Sequence, residues 1–188
     1  MTQDRTALLL IDVVNPLDFP EADALARHAI PAAERVAALK RGMKASGATV
    51  VYVNDNFGDW SSDFSGLVRR VRSGQNDAAR IVELLAPEDD DLYVLKPRHS
   101  GFYATPLDEL LRSREIQRLV LCGFQTHMCV LFTAHDAYIR QYDLRVPADG
   151  SASERPELHR NAMALLDELG VDIAEIGDHA APDFAGIA

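Results

Sequence analysis

Short apolar runs alternate with stretches of helical spacing along the chain. Thr6–Val13 (TALLLIDV) is apolar at nearly every position, the pattern of a strand buried on both faces. Pro31–Ser46 places Ala33, Val36, Ala37 and Met43 at helical spacing, and Gly47 follows where a C-terminal cap belongs. Thr49–Asn54 (TVVYVN) predicts a second strand, Asp77–Leu85 a helix closed by Pro87, and Asp91–Leu95 a short third strand. Pro106–Arg112 predicts a helix with Thr105 as N-cap and proline at the first helical position. Then come a strand at Arg118–Cys122, a helix at Thr126–Gln141 and a strand at Leu144–Pro147. A helix at Arg155–Leu169 ends at Gly170, and Val171–Ile176 is the last strand.

This alternation predicts one α/β domain: a parallel sheet with helices on both faces, because parallel neighbours need crossover connections. In such sheets ligands bind beyond the carboxyl ends of the strands. Asp12 ends the first strand, and Asn54 and Asp55 the second. Lys96 follows the third, Gly123–Cys129 (GFQTHMC) the fourth and Asp149 the fifth. An acid, a base and a thiol thus converge on one rim from segments remote in sequence.

Each has a functional and a bland reading. With Thr126 as N-cap, Cys129 falls in the first helical turn, where free amides and the helix dipole favour a reactive thiolate and could hold an oxyanion. Alkylation well below an ordinary thiol pKa of about 8.5 is then the expected signature. Alternatively, Cys129 is a small core residue. Asp12 is a proton acceptor or a turn acceptor, and Lys96 an orienting cation or a surface lysine. Their combination favours an activated nucleophile. Cys122, inside a strand, should be buried and inert.

Composition narrows the classes. The 188 residues are 47% hydrophobic and 26% charged, an ordinary globular balance. A net charge of −10 argues against nucleic acid as a partner. Two cysteines seven residues apart make no disulfide scaffold and suggest a reducing compartment. Met1–Arg5 shows no signal-peptide pattern and no apolar run spans a bilayer, so a cytoplasmic location is expected and no membrane partner. His28, His99, His159 and His179 are scattered, and His127 and His135 have no i, i+4 partner, so no metal site is expected. Glu88–Asp91 lacks the spacing of a calcium loop. Val13-Val14-Asn15-Pro16 is not a glycine-rich phosphate loop, which argues against a dinucleotide; no cofactor is implied.

The segments LLLIDVVNPLDF, LKPRHSGFYATPLDELL and LVLCGFQTHMCV, in this order, resemble the isochorismatase-like hydrolase superfamily. The group includes nicotinamidases, N-carbamoylsarcosine and ureidoacrylate amidohydrolases, and isochorismatases. The resemblance covers nearly the whole chain. It implies a three-layer α/β/α sandwich with a six-stranded parallel, Rossmann-like sheet, and a catalytic triad of Asp12, Lys96 and Cys129. It implies a cis Phe124–Gln125 bond and an oxyanion hole made by the Gln125 and Cys129 backbone amides. The implied reaction is hydrolysis of a C–N bond in a small carboxamide or ureido compound through an acyl-enzyme on Cys129. A homo-oligomer, a dimer or larger, is also implied.

Departures from the family pattern matter. Nicotinamidases bind a metal through an Asp and histidines after the second strand, where this chain reads Asn54-Asp55-Asn56-Phe57-Gly58-Asp59-Trp60. Isochorismatases cleave a vinyl ether and generally lack the cysteine kept here. Val14 replaces the family's usual Gln, with an insertion before Phe19, so the pocket mouth is remodelled. Asn15, Phe19, Trp60, Phe102, Tyr103 and His127 are the pocket candidates for a small planar substrate, with core packing the alternative for Phe19 and Phe102. Rival readings are a non-catalytic small-molecule-binding module or a thiol-redox sensor on the same fold, and a nicotinamidase- or isochorismatase-type activity.

Overall fold

In strand β1 (Thr6–Ile11) all six residues are buried, so the run needs cover on both faces and takes the centre of a sheet. Its side chains alternate. Leu8 and Leu10 join one core cluster, and Ala7, Leu9 and Ile11 join another on the opposite face. A computed structural model of the chain describes residues 5–61 and 63–177, and it shows what fills each side.

The other strands are β2 (Thr49–Asp55), β3 (Leu92–Lys96), β4 (Arg118–Phe124), β5 (Asp143–Arg145) and β6 (Ser151–Ala152). The sheet is six-stranded and parallel, in the order β3-β2-β1-β4-β5, with β6 also paired to β4. Helices α1 (Ala22–Ala45), α2 (Phe64–Arg72) and α3 (Asp77–Leu84) pack on the Leu8/Leu10 face. Helices α4 (Leu107–Ser113), α5 (Leu131–Ile139) and α6 (Pro156–Glu168) pack on the Leu9 face. This is the expected three-layer α/β/α sandwich. Among the described residues no helix is long and apolar enough to cross a membrane.

Several boundaries differ from the sequence reading. Helix α1 begins nine residues before Pro31. The proline removes one backbone donor, but Leu25, Ala26, Ala29, Ala32 and Ala33 keep a buried stripe continuous through it. Helix α2 was not expected. It starts where the Asp63 carboxylate accepts the Gly66 N–H at 2.6 Å. Val171–Ile176 is not a full strand: a single parallel bridge joins Arg145 to Asp172. The edge beside β4 is shared instead by β5 and β6, separated by a short 3₁₀ turn at Ala148–Gly150. Thr126–Gln141 is also divided. Its first five residues form a π turn, in which the Gln125 carbonyl accepts the N–H groups of Met128 (3.1 Å) and Val130 (3.3 Å).

Candidate active site

Parallel register brings the strand ends together. It sets Ile11 beside Val53 and Gly123, and Asp55 beside Lys96. The residues just past these pairs therefore share one rim. Asp12 leaves β1 with φ 52°, turned from the strand direction, and its N–H still bonds the Val53 carbonyl at 3.0 Å. Asn54, fully buried, clasps Val14 from both sides: it accepts the Val14 N–H at 3.1 Å and donates to the Val14 carbonyl at 2.9 Å. That clasp holds the loop after Asp12 against β2.

Lys96 is fully buried at the centre. Its Nζ lies 2.7 Å from Asp12 Oδ2, 3.5 Å from Asp55 Oδ2 and 3.6 Å from Cys129 Sγ. The other Asp12 oxygen accepts the Asp55 N–H at 2.6 Å. Burial pushes the Asp12 carboxyl above the ordinary carboxylate range, while the Lys96 charge pulls it down. Burial works against the Lys96 charge too, but Asp12, Cys129 and Asp55 outweigh it and hold the ammonium more firmly than a free lysine's.

The thiol corrects an expectation. Burial first, and then the neighbouring Asp12 carboxylate, push Cys129 well above an ordinary thiol, and Lys96 offsets only part of this. No Thr126 cap supports a thiolate either. The Thr126 hydroxyl instead meets Ser151 Oγ (3.0 Å) and His159 Nδ1 (2.9 Å), and Gln125 stands at the cap position without a side-chain bond. Burial thus disfavours charge on both Asp12 and Cys129, and Lys96 opposes it at each. Cys122 is fully buried, with its thiol pushed up by burial, as its strand position implied.

Asp12, Cys129 and Gln125 line an open cavity of about 310 Å³ with Asn15, Phe19, Leu25, Asp55, Phe57 and Phe124. Asn15 and Phe19 are thus where they were expected. The other pocket candidates are not among this cavity's walls. Phe102 is 6% exposed and packs in the Leu9-face core near Tyr142, because the segment after β3 turns inward under α5. Tyr103 is exposed beyond it, and Trp60, 81% exposed, stands off in the loop after β2. His127 turns to Ser153, whose Oγ is 3.0 Å from its Nδ1. Asp149, on the predicted rim, instead pairs with Arg35 at 3.4 Å and accepts the Ile176 N–H at 2.8 Å. The reading missed Leu25, Asp55, Phe57 and Phe124 as walls. Only Asp55 carried a signal, its place at the end of β2. The Phe124–Gln125 peptide is cis.

The donor set does not suit a resident metal. Asp55 already accepts the Phe57 N–H at 2.7 Å, and its neighbours Asn56 and Phe57 add no imidazole or carboxylate. Among the described residues no three His, Cys, Asp or Glu side chains gather to hold one.

These features define the class: an α/β protein with a doubly covered parallel sheet and with Cys129, Asp12 and Lys96 gathered at its carboxyl rim. Comparison with known proteins narrows it: the isochorismatase domain matches residues 6–178, and the chain belongs to the isochorismatase family. It is 30% identical over 169 residues to the uncharacterized isochorismatase family protein YaaI of Bacillus subtilis, covering 90% of this chain and 92% of that one. It is 32% identical over 180 residues to ureidoacrylate amidohydrolase RutB of Methylorubrum extorquens, covering 81% of this chain and 72% of RutB. The crystal structure of N-carbamoylsarcosine amidase from Thermoplasma acidophilum is similar over 92% of this chain and 97% of that chain, with a TM-score of 0.72 and 26% identity.

Proposed function

We propose that this chain is a cysteine amidohydrolase that cleaves a C–N bond in a small carboxamide or ureido compound. The observation that carries the reading is the Lys96 ammonium, 2.7 Å from Asp12 and 3.6 Å from the Cys129 sulfur, under the floor of an open cavity. The names of RutB and of N-carbamoylsarcosine amidase, both amide or ureido hydrolases, support it.

In this mechanism the thiol proton passes to Asp12 as Cys129 Sγ bonds to the substrate carbonyl carbon. The carbonyl oxygen takes the electron pair, held by the Gln125 and Cys129 amides. The C–N bond then breaks, and Asp12 returns the proton to the leaving nitrogen. Water attacks the thioester and gives a proton to Asp12, the carbon–sulfur bond breaks, and the thiol is restored. Lys96 keeps its proton throughout. Its charge orients Asp12 and offsets negative charge on sulfur during attack. The oxidant-sensor alternative needs a resolving thiol, and Cys122, fully buried inside β4, is poorly placed to be one.

Ammonia release from a panel of small amides and ureas tests the proposal. Wild type should release it, and Cys129→Ala should not, with an unchanged circular dichroism spectrum. Turnover by Cys129→Ala would sink the mechanism. Asp12→Asn should slow turnover by about 10²–10⁴-fold, the usual worth of a positioned acid–base group.

A further inference from the structure

We infer that the cavity selects neutral or cationic amides and rejects those bearing a carboxylate, with Asp55 as the residue that sets the choice. The inference rests on the amidohydrolase reading, which it deepens by naming the charge of the substrate.

The walls carry it. Among the described residues no arginine, lysine or histidine lines the 310 Å³ cavity; its charged side chains are Asp12 and Asp55. The Lys96 ammonium beneath it is fully buried and faces both carboxylates, at 2.7 Å and 3.5 Å. One positive charge against two negative ones leaves the floor acidic. An entering carboxylate would lose water and meet no cation to replace it, and Asp55 would repel it. The net charge of −10 adds a field of the same sign.

Asp55 is also built to receive a donor. Its Oδ1 accepts the Phe57 N–H at 2.7 Å, which fixes the carboxylate in place. Among the described residues its Oδ2 has only the long 3.5 Å approach of Lys96, and the side chain is 27% exposed. Acceptor capacity therefore remains for an amide, ureido or ammonium N–H. Asp12 is held more tightly, by Lys96 at 2.7 Å on one oxygen and the Asp55 N–H at 2.6 Å on the other. Phe19, Leu25, Phe57 and Phe124 offer apolar walls to an uncharged body. RutB is named for ureidoacrylate, a carboxylate, so the substrate expected here is of a different kind.

The test compares near-isosteric amides of different charge by ammonia release: butyramide, succinamate and 4-aminobutyramide, and propylurea, 3-ureidopropionate and (2-aminoethyl)urea. Alongside it, Cys129 alkylation by iodoacetamide and by iodoacetate is compared, each rate divided by that of 2-mercaptoethanol. The neutral and cationic members should exceed the anion in kcat/KM by about tenfold or more, and iodoacetate should lag iodoacetamide by a similar factor, the size of one nearby unscreened charge. Asp55→Asn should narrow both gaps. Equal or preferred use of the anions, or equal rates of the two reagents, would overturn the inference. If no amide is hydrolysed but the reagents keep their order, the hydrolase reading falls and the charge selection stands. If succinamate or 3-ureidopropionate is the best substrate, hydrolysis stands and the charge selection falls. A Cys129 that neither reagent reaches in the native protein, even at alkaline pH where the thiol ionises, also overturns it, because the cavity would then be closed.

Discussion

Lys96 makes three other side chains interdependent. Its ammonium has been taken fully out of water, and that is tolerable because Asp12 sits at 2.7 Å with Asp55 and the thiol beyond. Lys96→Met should therefore destabilise the fold by about 3–5 kcal/mol, the usual result of leaving a buried charge without its partner. Urea denaturation measures this, and adding Asp12→Asn to the same chain should recover part of the loss. The thiol makes a second prediction. Because burial and then Asp12 push Cys129 up, its alkylation by iodoacetamide should rise with pH along a curve displaced above that of an ordinary thiol. In Asp12→Asn the curve should move back down, since one raising influence is gone. A Cys129 midpoint below about 8, under the ordinary thiol range, would show that Lys96 outweighs burial. Cys122, with no access, should label only on unfolding.

At the scale of elements, close approach of backbones governs the rim. Gly123 lies in β4 with φ +132°, and a Cβ there would collide with the Ile11 carbonyl oxygen. Alanine cannot be accommodated unless β1 and β4 part just where Asp12 and Gln125 are positioned. Gly123→Ala should cost about 4 kcal/mol or more, among the larger single-residue effects, and should lower turnover even where the chain still folds. The π turn after β4 is anchored by a second contact, between Thr126, Ser151 and His159. Burial, with His28 and Arg160 nearby, holds His159 below its ordinary 6.5. The unfolded chain therefore takes up a proton before the folded chain does. The stabilising contribution is complete above the unfolded value and is lost as pH falls through 6.5 toward the folded value. Urea midpoints at about pH 7.5 and about pH 5.5, either side of that value, should differ more for wild type than for His159→Gln.

The molecule as a whole distributes stability unevenly across its sheet. Leu9, fully buried on the central strand, is covered by helices and has no way to relax. Leu9→Ala should cost about 2–5 kcal/mol, as large-to-small changes in packed cores do. Ile173 lies in the segment whose sequence predicts the last strand, and it is only partly buried. Ile173→Ala should cost well under half as much, and a comparable loss would show that this edge is a true strand. Both values come from urea titrations with unchanged slopes.

The sequence by itself determined the layers and which side chains stand at the rim. The continuous apolar run of β1 requires cover on both faces, and the alternation of strands with helices requires a parallel sheet. Residues placed just past strand ends, Asp12, Lys96 and Cys129, could therefore be named before any contact was seen. Local signals also sufficed at Gly47, which closes α1 with φ +89°. What only the tertiary structure decided is non-local. Register across β3, β2 and β1 brings Asp55 to the floor of the cavity, and the Leu9-face core draws Phe102 away from it. Helix α1 runs through Pro31 because its buried stripe outweighs one lost hydrogen bond. Burial, and then a carboxylate far away in sequence, push the Cys129 thiol up. Chain order encodes which groups reach the rim; their charges depend on distances and lost water that only the packed molecule supplies.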